Sequence, residues 1–138
     1  MTPKTLNILL VEDDEVDVMN VRRAFQANHI VNPLFVAGNG VEALEKLRGG
    51  EIPGERRLIL LDLNMPRMNG IEFLAELRHD PELAATPVVV LTTSNNDRDR
   101  VQAYDFNVAG YLLKPVTFSD FAELMAALNK YWTLVEMP

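Results

Sequence analysis

The residues Leu58–Leu61 form an unbroken apolar run that leads directly into one carboxylate, Asp62. Turn-forming residues, Pro66 and Gly70, follow a few positions later. An apolar run of this length ahead of turn residues is typical of a strand that is buried on both faces of a sheet. Asp62 would then lie at the carboxyl end of the strand, where open α/β sheets bind their ligands. A carboxylate that only caps a turn is the alternative, and the other segments of the chain must decide between the two.

Similar apolar runs recur along the chain, and an amphipathic stretch follows each of them. We expect strands at Leu6–Val11, Leu34–Ala37, Leu58–Leu61, Val88–Leu91 and Val108–Leu113. The last helix has the most regular apolar face, with Phe118, Phe121, Leu124 or Met125, Leu128 and Tyr131 or Trp132. Five strands that alternate with five helices predict an α/β fold, with a parallel sheet and helices on both of its faces.

The helix expected from about Asp97 to Phe106 has the weakest apolar pattern. We expect Val101 and Tyr104 to be its inward residues. Short helices with sparse apolar faces can shift at low cost in free energy. This helix is therefore the element that we expect to move during a conformational switch.

The bulk properties of the chain exclude several classes of function. A length of 138 residues fits one domain, and the net charge of -7 argues against a broad basic face for nucleic acid. No apolar stretch approaches the roughly 20 residues that span a bilayer, and the first residues do not resemble a secretory signal. Cysteine is absent, which excludes thiolate chemistry. The presence of only two histidines argues against a histidine-rich metal site. We expect a cytoplasmic protein with neither nucleic acid nor membrane as a partner.

Chemically distinctive residues follow four of the five predicted strands, at the points where the strands end. These strand-end residues are Glu12, Asp13, Asp62, Thr92 and Lys114. Because the carboxyl ends of parallel strands meet at one edge of a sheet, we expect the five side chains to lie together.

Three carboxylates at one edge would repel each other unless a positive group joined them. A hard divalent cation such as Mg²⁺ suits such a group, and the Lys114 ammonium suits a phosphate oxygen. A carboxylate placed beside both can act as a nucleophile towards phosphorus and form an aspartyl-phosphate. Each residue alone has a plainer interpretation, Thr92 as a helix cap and Lys114 as a surface lysine. The joint pattern favours phosphoryl chemistry.

Four motifs together resemble the receiver domain of two-component response regulators. They are Val11-Glu12-Asp13-Asp14, Asp62-Leu63-Asn64-Met65-Pro66 with Gly70, Leu91-Thr92-Thr93, and Tyr111-Leu112-Leu113-Lys114-Pro115. The resemblance extends from about Leu6 to Trp132. It implies a flavodoxin-like (βα)5 three-layer sandwich whose five-stranded parallel sheet has the order 2-1-3-4-5. It also implies that residues 1–138 form a single receiver domain, with an apolar extension at about 132–138.

The resemblance assigns a role to each matching residue. Asp62 is the implied phosphoacceptor for a histidine kinase, and Glu12, Asp13, Asp62 and the backbone carbonyl of Asn64 are the implied Mg²⁺ ligands. The resemblance also implies that Mn²⁺ or Ca²⁺ can substitute for Mg²⁺. Glu12 is longer than the Asp that is more usual at its position, and we expect it to bind the metal less directly than Asp13 does. Thr92 and Lys114 are the implied phosphate contacts, and Tyr111 is the aromatic residue that rotates with phosphorylation. Pro66, Gly70 and Pro115 have structural roles, Pro115 through a cis bond to Lys114.

A second, less specific resemblance is to the single-domain regulators that pair with bacterial and cyanobacterial phytochrome kinases. The motifs around Asp62 and Thr92 and the pair Tyr131-Trp132 carry it. The apolar residues of the last helix and tail either cover the core of their own domain or pair with a second copy; they are Tyr131, Trp132, Leu134, Val135 and Met137. We expect a homodimer through the last helix and tail.

A phosphorelay intermediate that passes the phosphoryl group to a histidine phosphotransfer protein stays open as an alternative. Three other functions fit the sequence less well, namely a constitutive protein-binding pseudo-receiver, a phosphotransferase or phosphatase for small molecules, and a flavodoxin. A pseudo-receiver would usually lack Asp62 or Lys114, and both are present. A phosphotransferase needs a substrate pocket for which no insertion is apparent, and a flavodoxin needs a phosphate loop after the first strand. We therefore expect a signalling protein that is not an enzyme, apart from assisting its own phosphorylation and dephosphorylation.

Overall fold

The computed structural model describes residues 5–53 and 56–135, which form a parallel sheet between two layers of helices. The strands are β1 (Asn7–Val11), β2 (Leu34–Ala37), β3 (Arg57–Leu61), β4 (Val88–Thr92) and β5 (Gly110–Leu113). The helices are α1 (Glu15–Ala27), α2 (Gly40–Arg48), α3 (Gly70–His79), α4 (Asp97–Asp105) and α5 (Phe118–Leu134). The strand order is β2-β1-β3-β4-β5, so the predicted α/β fold and its 2-1-3-4-5 order are confirmed.

The three central strands are apolar because both of their faces are covered. Side chains alternate along a strand, and Leu9 and Ile59 accordingly join the core beneath α2 and α3. Ile8 and Leu60 point the other way, into the core beneath α1 and α5. The two cores hold β1, β3 and β4 rigidly, which fixes where their carboxyl ends lie.

Each helix begins at a polar residue whose side chain accepts a hydrogen bond from the backbone of the first turn. The five N-caps are Asp14, Asn39, Asn69, Asn96 and Thr117. Such caps satisfy amide groups that would otherwise have no partner, and each stabilises a helix by about 1 kcal/mol. Asp14, Asn39, Asn96 and Thr117 lie two to four residues after a strand, so these loops are short, whereas the loop from Asp62 to Asn69 is longer.

The prediction for the inward residues of α4 was wrong. Val101 is 58% exposed and Tyr104 is 48% exposed, whereas Ala103 is completely buried. The helix lies near the β5 end of the sheet and contacts mainly α3 and β5. It therefore packs through one small residue and leaves its larger apolar residues on the surface.

The apolar residues at the end of α5 divide between the core and the surface. Trp132 is buried and its ring lies 6.1 Å from that of Phe25 on α1, whereas Leu134 is exposed. Trp132 thus covers the core of its own domain. Residues 136–138, including Met137 of the predicted extension, lie outside the described residues. So do residues 1–4, which are part of the stretch considered for a secretory signal.

Within residues 5–53 and 56–135, the helices are all too short or too polar to cross a lipid bilayer.

Arg78 on α3 joins three segments of the chain through backbone carbonyls. Its Nε donates to Phe106 at 2.7 Å and its Nη2 to Asn107 at 3.2 Å, at the end of α4. Its Nη1 donates to Ala84 at 2.9 Å and to Thr86 at 2.7 Å, ahead of β4. Burial lowers the pKa of the guanidinium below its ordinary value. The sequence offered no sign of this contact, because a lysine or arginine near the end of a helix is usually a surface residue.

We expect Arg78→Met to lower the free energy of unfolding by about 2–4 kcal/mol, because it leaves four carbonyl groups without their charged donor. Urea unfolding monitored by circular dichroism measures the change. Arg98→Met, at an exposed position on α4, is the matched control and should change stability by less than about 0.5 kcal/mol. Equal effects of the two substitutions would show that the Arg78 contacts do not stabilise the fold.

Candidate functional site

The register of the sheet brings four strand ends to one edge. Val11 of β1 lies beside Leu61 of β3, and the Asp62 amide donates to the Val11 carbonyl at 3.0 Å. The Lys114 amide likewise donates to the Thr92 carbonyl at 2.8 Å. Residues that are distant in the sequence thereby become neighbours. β2, the one predicted strand that is not followed by a chemically distinctive residue, lies at an edge of the sheet.

Glu12, Asp13 and Asp62 form an acidic cluster whose ligand oxygens all lie within 4.8 Å of one another. Glu12 and Asp62 are buried and Asp13 is exposed, so the cluster opens to solvent on one side. Its donors are all hard oxygens, which are the ligands that Mg²⁺ and Mn²⁺ prefer. The residues present therefore fit a divalent cation.

The Asp62 carboxylate is held by contacts on both of its oxygens. Oδ1 accepts from the Thr92 hydroxyl at 2.8 Å and from the Asn64 amide at 3.2 Å. Oδ2 accepts from the Lys114 ammonium at 3.4 Å. These contacts fix the orientation of the buried Asp62 carboxylate.

The Lys114 ammonium lies among three carboxylates. It forms ion pairs with Glu12, with Asp17 at 2.7 Å and with Asp62 at 3.4 Å. Burial lowers the pKa of this ammonium, but hydrogen bonds to Asp17 and Glu12 outweigh burial and raise the pKa above its ordinary value. Lys114 is therefore a permanent positive charge at the centre of the site.

Burial raises the pKa of the Glu12 carboxyl to about 8, although the hydrogen bond from Lys114 opposes the increase. The negative charge of Asp62 acts in the same direction as burial. One ammonium thus does not fully compensate the carboxylates around it. A divalent cation would supply the missing positive charge and favour the ionised form of Glu12.

A chain of hydrogen bonds leads from Asp62 towards α4. The Ser94 amide donates to the Thr92 hydroxyl at 3.3 Å, and the Ser94 hydroxyl donates to Asp99 on α4 at 2.6 Å. The Tyr111 hydroxyl donates to the Ser94 carbonyl at 2.8 Å. Hydrogen bonds therefore link Thr92 through the loop after β4 to the first turn of α4.

The residues with predicted structural roles shape the loops of the site. A Cβ added to Gly70 would lie 2.6 Å from the Leu63 Cα and 2.7 Å from the Asp62 carbonyl oxygen, so only glycine fits there. Pro66 lies on the exposed part of the loop after Asp62. The expected cis bond before Pro115 was wrong, since the Lys114–Pro115 peptide is trans. Trans is the lower-energy isomer of most X–Pro bonds, by about 0.5–1 kcal/mol.

The structure brings together all five strand-end side chains named from the sequence and places Tyr111 one step away. Two contributors were missed, Asp17 and Asp99, each in the first turn of a helix. An acidic residue in a first turn ordinarily favours the helix start, so its position in the sequence does not reveal a second contact.

Comparison with known proteins gives a consistent result. The profile of the response regulator receiver domain matches residues 8–129. Response regulator Rcp1 of Synechocystis sp. is 38% identical over 128 residues, which are 91% of this chain and 87% of Rcp1. The probable methanogenesis regulatory protein FilR2 of Methanothrix harundinacea is 39% identical over 127 residues, which are 91% of this chain and 82% of that protein.

Solved structures agree in fold, and one of them contains a bound metal ion. The phosphorylated cyanobacterial phytochrome response regulator RcpA superposes with a TM-score of 0.87 at 34% identity, over 98% of this chain and 99% of that chain. The Mn²⁺-bound form of Rcp1 superposes with a TM-score of 0.83 at 37% identity, over 99% of both chains. The bound metal in that relative agrees with the acidic cluster found here. The chain therefore belongs to the response regulator receiver domain family.

Proposed function

We propose that this protein is a stand-alone response regulator that accepts a phosphoryl group on Asp62 from a phosphohistidine of a histidine kinase. The observation that carries the proposal is the convergence of the Thr92 hydroxyl and the Lys114 ammonium on the Asp62 carboxylate, beside two further acids. That Rcp1 and RcpA are matched over nearly their whole chains supports a single receiver domain over residues 1–138.

In the proposed reaction an Asp62 oxygen attacks phosphorus in line with the bond to the kinase imidazole. The new P–O bond forms as the P–N bond breaks, and the leaving imidazole takes up a proton. Glu12, Asp13, Asp62 and the Asn64 carbonyl would hold Mg²⁺, for which Mn²⁺ or Ca²⁺ can substitute. The cation neutralises charge on the phosphoryl oxygens when it is bound.

The contacts of Asp62 provide a route from phosphorylation to the surface. The Thr92 hydroxyl that now donates to Asp62 is expected to donate to a phosphoryl oxygen instead. Its movement would strain the contacts of Ser94 with Asp99 and Tyr111, and so bias the loop and α4 towards a second arrangement. The exposed Val101 and Tyr104 would carry the change to a partner protein.

A phytochrome-type kinase is the proposed source of the phosphoryl group, and the cytoplasm is the proposed location. The similarity to Rcp1 and to the phytochrome response regulator RcpA supports this pairing. FilR2 is 39% identical to this chain, against 38% for Rcp1, but its name refers to methanogenesis and so does not support this pairing. Phosphotransfer profiling against the histidine kinases of the organism discriminates directly between a phytochrome partner and another kinase.

A homodimer through α5 and the tail is the proposed assembly. An apolar groove of about 260 Å³ lies between β5 and α5, with Leu112, Leu128 and Tyr131 among its lining residues. Leu134 projects into solvent on the same helix. Exposed apolar surface of this kind marks interfaces, and two copies related by a two-fold axis can cover each other's groove.

Incubation with acetyl phosphate and Mg²⁺ should add one acid-labile phosphoryl group, because Asp62 is the oriented nucleophile. Intact-mass spectrometry measures the addition. Asp62→Asn should abolish it, while Asp105→Asn, at an exposed position on α4, should leave it unchanged. Equal labelling of Asp62→Asn and the native protein would refute the assignment of the phosphoacceptor.

Mg²⁺ should raise the melting temperature because it binds the folded acidic cluster. At ten times its dissociation constant the expected stabilisation is about 1.4 kcal/mol. Asp13→Asn should remove most of this stabilisation, whereas Glu15→Gln, an exposed neighbour in the first turn of α1, should retain it. Stabilisation by Mg²⁺ that persists in Asp13→Asn would place the cation elsewhere.

Sedimentation velocity at tens of micromolar should show a dimer, since the exposed apolar surface on α5 is covered in that state. Leu134→Asp should shift the protein towards monomer, because it places a charge in the interface. Val31→Asp is the control and should leave the assembly unchanged, because Val31 lies outside α5 and is 92% exposed, against 80% for Leu134. A native protein that sediments as a monomer, both phosphorylated and unphosphorylated, would contradict the proposal.

A further inference from the structure

The three carboxylates around Lys114 are not equivalent. Glu12 and Asp62 extend from strand ends and have side chains that are only 2% and 7% exposed. Asp17 extends from the first turn of α1 and its side chain is 28% exposed. Once the ammonium moves away, water can therefore solvate the Asp17 carboxylate more readily than the carboxylates of Glu12 and Asp62.

The distances place the ammonium nearer to α1 than to the phosphoacceptor. Lys114 Nζ lies 2.7 Å from Asp17 Oδ2 and 3.4 Å from Asp62 Oδ2. An ammonium has three N–H donors, and Glu12, Asp17 and Asp62 each accept one. Within the described part of the chain the ammonium is thus fully engaged before any phosphoryl group arrives.

A phosphoryl group on Asp62 has to obtain a donor that is already in use. It brings a charge of about -1.5 to -2 and three strong acceptor oxygens to the carboxylate. A short contact with the phosphoryl group requires the ammonium to move from its present position, 3.4 Å from Asp62, away from Glu12 or Asp17. Of these two partners the more exposed one, Asp17, costs less free energy to release.

We propose that Asp17 is a positioning residue that holds the Lys114 ammonium towards α1 in the resting protein and exchanges it for a phosphoryl oxygen. This inference rests on the proposed phosphorylation of Asp62. Asp17 then lowers the affinity of the site for a phosphoryl group, because only a contact that differs between the two states shifts their equilibrium. The residue thereby makes the phosphorylated state easier to reverse.

Beryllium fluoride, a stable mimic of a phosphoryl group on a carboxylate, tests the exchange. Its half-saturating concentration is measured from the rise in melting temperature at saturating Mg²⁺. Asp17→Asn should lower that concentration about 3- to 10-fold, the range expected for the loss of one partly exposed charged contact. Glu15→Gln removes an exposed carboxylate from the same helical turn and should change the concentration less than about twofold, since it does not contact Lys114.

Three further variants and measurements separate positioning from a general charge effect. Asp17→Glu retains the carboxylate and should behave like the native protein. Asp17→Asn should cause no tightening when Lys114 is replaced by Met, because the effect acts through the ammonium. The half-saturating Mg²⁺ concentration should be the same in Asp17→Asn and Glu15→Gln.

Several results would overturn the inference. They are an unchanged or higher half-saturating concentration in Asp17→Asn, equal tightening in Asp17→Asn and Asp17→Glu, and tightening that persists in the Lys114→Met background. A difference in Mg²⁺ affinity between Asp17→Asn and Glu15→Gln would also overturn it. If beryllium fluoride does not stabilise even the native protein, the proposed phosphoacceptor fails together with the inference. If it stabilises the native protein and Asp17→Asn behaves like Glu15→Gln, the inference fails alone.

Discussion

The ammonium of Lys114 compensates the carboxylates that the fold brings together. A parallel sheet places the ends of β1 and β3 side by side, and each of these ends carries an acid. Without a positive group, burial and mutual repulsion would disfavour the ionised acids, and the raised pKa of Glu12 shows this effect even with Lys114 present. The carboxylates of the site therefore favour binding of a divalent cation, because one lysine only partly neutralises their negative charge.

The contrast between rigid and adaptable parts of the fold suits such a site to signalling. The apolar strands β1, β3 and β4 are buried on both faces, so the positions of Glu12 and Asp62 are fixed. The loop after β4 is held by a few hydrogen bonds through Ser94, and α4 packs through Ala103. A local change at Thr92 can accordingly reach the surface without disturbing the core.

Much of the fold and the centre of the site could be predicted because they depend on periodicity. The apolar run before Asp62 defined a buried strand, and parallel pairing then required Glu12, Thr92 and Lys114 to lie nearby. The strand order itself came from family resemblance. The roles of Asp17 and Arg78 could not be predicted, since each depends on the direction of one long-range side-chain contact. The helix α4 was misjudged because periodicity cannot tell an inward apolar face from an apolar surface.

Chemical trapping tests most directly whether Asp62 forms the proposed acyl phosphate. Borohydride reduces an acyl phosphate to an alcohol, which converts a phosphorylated aspartate into homoserine and leaves free carboxylates intact. After incubation with acetyl phosphate and Mg²⁺, tandem mass spectrometry of the reduced protein should find homoserine at position 62. Homoserine at Asp13 or at any other aspartate in place of Asp62, or none in a protein that has gained phosphate, would contradict the account.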